Sequence, residues 1–171
     1  MPAILSAVAS GAEIYAQDAF PGEIWQQMLA AAGAHGALTL LLERWAQQSD
    51  KPLVLMIDEI DSLVGDTLIA VLRQLRAGYA QRPAAFPQSL ILCGVRDVRD
   101  YRIHTGDGQE VITGGSAFNI KAKSLRMGDF DETEVFSLLR QHTAETGQEF
   151  TDEALATVWR LSLGQPWLVN A

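Results

Sequence analysis

Residues 51–63 read KPLVLMIDEIDSL: an apolar run from Leu53 to Ile57 stops at two adjacent carboxylates, Asp58 and Glu59, with Asp61 two positions further on. An unpaired carboxylate is costly to bury, so acids at the end of a buried strand have two explanations. They are a solvated strand end, since any parallel strand must finish in something polar, or they hold a metal ion and a water molecule. The second has a definite chemistry. Beside a phosphate-binding loop, Mg²⁺ needs an oxygen ligand at a strand end, and Asp58 could supply one through water. Glu59, as the next residue, points elsewhere and could orient or deprotonate an attacking water. Ligands of open α/β sheets sit beyond the carboxyl ends of the strands, which is where these residues fall.

The elements that must position this pair follow from periodicity. Ile4, Leu5, Val8, Ala12 and Tyr15 recur at helical spacing over 4–16, despite Gly11. Pro21 suits a helix start, and the stripe Ile24, Trp25, Met28 and Leu29 ends near Gly33. A third helix is predicted from Ala37 to Gln48, broken by Ser49, Asp50 and Pro52. Leu53–Ile57 is continuously apolar, as expected of a parallel strand covered on both faces. After Gly65 and Asp66 a helix should turn Leu68, Val71, Leu72 and Leu75 inward and stop at Gly78. SLILCGV (89–95) reads as a second strand, the glycine-rich 102–116 as a loop or short hairpin, and AFNIKAK (117–123) as a third strand. Beyond it the pattern is helical: Asp131 and Glu134 form a capping-box signature, Thr151 caps a helix closed by Gly164, and Pro166 can start another.

In this order the motifs resemble a known family. LVLMIDEIDSL is similar to the Walker B segment of AAA+ ATPases, and SLILCGVRD resembles their sensor 1 strand. Its ending in Arg96 is closer to the signal-transducing STAND branch. GQPWLVNA resembles the GxP motif of the STAND lid, and LRMGDFDETEVFSLL the entrance to that lid. The resemblance spans roughly residues 50–171. It implies an α/β fold, an incomplete P-loop NTPase-like parallel sheet with flanking helices, and a C-terminal helical lid. The partial core would occupy 1–126 and the partial lid 127–171. It further implies ATP and Mg²⁺ as cofactors, Asp58 on the metal, Glu59 as catalytic base, Arg96 sensing the γ-phosphate and Pro166 against the adenine. Asp61 would hold the local turn, and Arg99 and Arg102 would lie on solvated surface.

One motif of that family is missing. No G-x-x-x-x-G-K-[ST] occurs, and none of the three lysines, Lys51, Lys121 and Lys123, lies in a glycine-rich loop. Residues 1–48 read as helices that would follow the phosphate loop, so the chain is expected to begin after that loop and to end inside its lid. SLILCGV should then pair with LVLMI, while AFNIKAK either pairs with SLILCGV or lies loose. Alone, such a chain would bind ATP weakly and turn it over negligibly, because phosphate positioning supplies most of the catalysis.

Composition narrows the alternatives. At 171 residues, 48% hydrophobic and 20% charged, the chain is globular rather than disordered. A formal charge of −8 argues against sequence-independent nucleic-acid binding. The single cysteine, Cys93, reads as a small buried hydrophobe. His35, His104 and His142 lack metal-ligand spacing. Trp25, Trp45, Trp159 and Trp167 sit on apolar stripes and read as core, with a lid partner as an option for Trp167. The N-terminus lacks a basic secretory region and no apolar run could span a bilayer, so a cytoplasmic location is expected. The partners expected are a nucleotide, and either further copies of the chain or fused sensor and effector domains. The competing function is a non-catalytic scaffold or oligomerisation domain derived from an ATPase fold. A carboxylate-metal nuclease using Asp58, Glu59 and Asp61 explains neither the lid nor the acidic balance.

Overall fold

The computed structural model describes residues 1–95 and 123–170, and the backbone of 103–104 and 111–112. Two compact units result, Met1–Lys123 and Ser124–Ala171.

In the first unit, α1 (Pro2–Ala16) starts with proline in its first turn, where a missing N–H costs nothing. It runs through Gly11 and packs on α2 (Phe20–Gln48), which also opens on a proline. The Asp18 carboxylate fixes the connection, accepting the Phe20 N–H at 3.0 Å and the Trp45 indole N–H at 2.7 Å. Sequence periodicity predicts two helices here, one ending near Gly33 and one starting near Ala37. The structure agrees: the α2 span is two helices meeting across a kink at Gly33, where the backbone is non-helical. Strand β1 (Val54–Ile57) follows, then α3 (Gly65–Ala77), then β2 (Ser89–Leu92).

The pairing expected of the two apolar runs is present: β1 and β2 are parallel neighbours, with Val54 opposite Ser89 and Ile57 opposite Leu92. Expected coverage on both faces is not. Leu55, Ile57, Leu90 and Leu92 pack against the helix-borne core, which includes Leu5, Leu38, Leu41, Leu42, Leu68 and Leu72. On the other face Val54 is 58% exposed, Met56 66% and Ile91 43%. A continuously apolar run supplies two apolar faces, but among the described residues the helices reach only one. The result is a mostly helical unit with a two-stranded parallel sheet, coarser than the sheet the P-loop resemblance implies. The short hairpin reading of 102–116 has a counterpart in β3 (Ile103–His104), antiparallel to β4 (Val111–Ile112). The third strand expected at 117–123 lies, apart from Lys123, outside the described residues.

The second unit is helical. Helix α4 (Glu132–Thr146) carries the complete capping box: Asp131 accepts the Glu134 N–H at 2.8 Å and Glu134 accepts the Asp131 N–H at 2.9 Å. The Thr151 hydroxyl accepts the Ala154 N–H to start α5 (Asp152–Ser162), and α6 (Pro166–Val169) opens on its proline. Val135, Leu139, Leu155 and Val169 form the core. Gly164 has φ 79, and a Cβ there would collide with the Phe130 carbonyl, which is why the sequence has glycine after α5. Trp45 is buried and Trp25 and Trp159 are half-buried, but Trp167 is 74% exposed, contrary to the core reading. Its helix is a single turn and only Val169 of it reaches the core.

Candidate functional site

The turn after β1 is built by a ladder that skips two residues. Cys93 N–H donates to the Ile57 carbonyl at 2.8 Å, and Ile60 N–H donates to the Cys93 carbonyl at 3.0 Å. Both partners of Cys93 thus flank Asp58 and Glu59, which are left out of the pairing. Ile60, 1% exposed, pins the turn into the core beyond them. The extruded residues satisfy their backbone locally: Glu59 N–H donates to Asp58 Oδ1 at 2.8 Å, and the Glu59 carbonyl accepts Ser62 N–H at 2.8 Å. The cost appears at Glu59, whose φ of 50 and ψ of 41 are left-handed, a region that residues other than Gly, Asn and Asp seldom enter.

Both carboxylates are exposed at the carboxyl end of the sheet. They line a shallow cleft of about 480 Å³ together with Asp61, Ser62, Gly94 and Val95. Asp61 reaches across to β2's end, its Oδ2 accepting the Val95 N–H at 3.4 Å. It therefore ties the acidic turn to the tip of the neighbouring strand. Cys93, half-buried, contributes backbone rather than thiol to this construction.

The donor set is suited to some cations and not others. Among the described residues, no group of three or more His, Cys, Asp or Glu converges as a metal cage. Asp58 has one oxygen engaged by the Glu59 N–H and a second directed to no described partner. A single carboxylate in an open cleft fits a hard ion that keeps its waters and brings other ligands with it, as Mg²⁺ does on phosphate oxygens. Glu59, beside it, has its carboxylate clear of described hydrogen bonds, as a water-positioning group requires.

Other sequence-predicted residues fall elsewhere. Arg96, Arg99 and Arg102 lie outside the described residues, one position and more beyond Val95 in the cleft wall. Pro166 is exposed at the first position of α6, in the second unit, where Gln165 caps the turn by accepting the Leu168 N–H at 2.8 Å. His35 and His142 are exposed, the latter 5.9 Å from the Phe150 ring. Sequence reasoning missed Ser62, Gly94 and Val95 as cleft walls and the left-handed Glu59. Only the position of the pair at a strand end hinted at either.

No protein-family model, no curated protein and no solved structure matches this chain. No helix among the described residues is long and apolar enough to cross a membrane.

Proposed function

We propose that the chain is an ATP-binding module of the STAND-like AAA+ type, holding the metal- and water-directing part of a nucleotide site whose phosphate loop is not among its 171 residues. The observation that carries this reading is the acidic turn. Asp58 and Glu59 are lifted out of the ladder at the carboxyl end of a parallel strand pair, over a cleft whose far wall is the tip of β2. Asp58 would hold Mg²⁺ through water, Glu59 would position the attacking water and Arg96 would meet the γ-phosphate. Hydrolysis then awaits a G-x-x-x-x-G-K-[ST] segment in cis or in trans, because phosphate positioning supplies most of the barrier reduction.

The test supplies that segment, from the coding sequence upstream or from a partner protein that carries it. In the completed ATPase, Glu59→Gln should retain bound ATP while turnover falls by at least ~10²-fold, the scale of a lost general base. Normal hydrolysis by the variant would remove Glu59 from its role.

A second reading is favoured by a different observation. The apolar face of Val54, Met56 and Ile91 is exposed, which suits a non-catalytic scaffold or oligomerisation surface derived from an ATPase fold. A nucleotide-independent oligomer in light scattering would favour it, and a monomer that binds Mg-ATP would remove it.

A further inference from the structure

The two helices of α2 meet across a kink. At Gly33 the backbone takes φ 62 and ψ −170, a region open to glycine almost alone. Glycine explains how the chain can turn there, not what keeps it turned. The sharpness of the bend shows at Gly36, where a Cβ would lie 3.1 Å from the Cβ of Ala32. On a straight helix, Cβ atoms four residues apart stand about 5–6 Å apart. The helix has therefore closed on its 32–36 side.

What faces the bend is a buried amide. Gln74 on α3 is 3% exposed. Its Oε1 accepts the Leu38 N–H at 2.8 Å and the Thr39 N–H at 3.4 Å. Its Nε2 donates to the Ala34 carbonyl at 3.1 Å and to the Ala70 carbonyl of its own helix at 3.1 Å. Thr39 Oγ1 returns a bond to the Gln74 carbonyl at 3.1 Å. Ala34 C=O and Leu38 N–H are the two groups that close one ordinary helical turn. A side chain that inserts into that ladder is one of the few established causes of a sharp kink.

We propose that Gln74 is a latch holding α2 in a bent state, and that the sequence has a second, straight state in which Ala34 and Leu38 bond each other. The straight state leaves the amide without its backbone partners, and the bent state prevails for that reason. The latch joins the helix that leaves the acidic turn, α3, to the helix that leads into β1, so a change in its state would be transmitted to both flanks of the cleft. Nothing in it depends on the nucleotide reading.

Nitroxides at the exposed positions Gln26 and Gln47, in a Cys93→Ser background, report the bend by pulsed electron resonance. The otherwise native chain should give a distance below the ~31 Å backbone separation of a straight helix of that length. Gln74→Leu should move population toward the longer value, and an unchanged distribution would overturn the latch. Gly36→Ala is the second arm, and it needs no folded Gln74 variant. In an unlatched helix it raises Tm, as alanine favours helix over glycine. Against the closed bend it should lower Tm, and the loss should disappear when combined with Gln74→Leu. A raised Tm from Gly36→Ala alone would defeat the proposal.

Discussion

The two faces of the β1–β2 sheet are made of the same kinds of residue and meet opposite environments. Leu55, Ile57, Leu90 and Leu92 lie against a core whose central side chains, Leu41, Leu42 and Leu72 among them, are fully buried. Val54, Met56 and Ile91, one residue out of phase, are exposed. Parallel sheets are almost always covered on both sides, because their strands carry no polar face to offer solvent. The contrast shows that strand composition reports what a sheet is built to contact, whereas exposure reports what is there to contact it. The face turned to water is the one that a further layer would cover, and among the described residues no further strand pairs with either edge of the pair.

This contrast can be broken most forcefully from the covered side. Leu72→Ala removes a side chain with 0% exposure and should cost about 2–5 kcal/mol in chemical denaturation, the range for buried leucine truncation. A loss below ~1 kcal/mol would mean that the helix-borne core is not what supports the sheet. At the rim where the faces meet, the left-handed Glu59 separates strain from chemistry. Glu59→Gly should be more stable than Glu59→Ala by about 1 kcal/mol, since only glycine takes that conformation freely. Equal stabilities would show that the turn relaxes out of it in solution. On the open face, Met56→Lys should change stability by no more than ~0.5 kcal/mol, as exposed substitutions do. A much larger loss by the same denaturation measurement would reveal that the face is occupied in solution, and the two faces would then be alike.

The helices were the most legible part of the fold. Capping depends on neighbours in sequence, so Asp131 with Glu134 and Thr151 with Ala154 could be read directly and are formed as read. The inward stripe of α3, Leu68, Val71, Leu72 and Leu75, follows from spacing alone and is buried as expected. The β1–β2 pairing was also legible, since two short apolar runs joined by a helix have few alternatives to a parallel crossover. Trp167 was misread because a one-turn helix is too short for periodicity to say which side faces the core. The break within α2 was legible, because Gly33 is a local stop signal, whereas the bond from the Leu38 N–H just beyond it to Gln74, on a helix far along the chain, was not.

For the candidate site, the sequence by itself determined that Asp58 and Glu59 stand at the end of an apolar strand, because the change from apolar to acidic residues is local. That they leave the hydrogen-bonded ladder together was decided only in three dimensions, since it takes Cys93 bonding to Ile57 on one side and Ile60 on the other. The cleft opposite them likewise exists because β2 is a neighbour in space rather than in sequence. Local patterns fix which groups a segment offers; long-range pairing fixes what they face, and a single chain's residue order holds the first kind of information far more openly than the second.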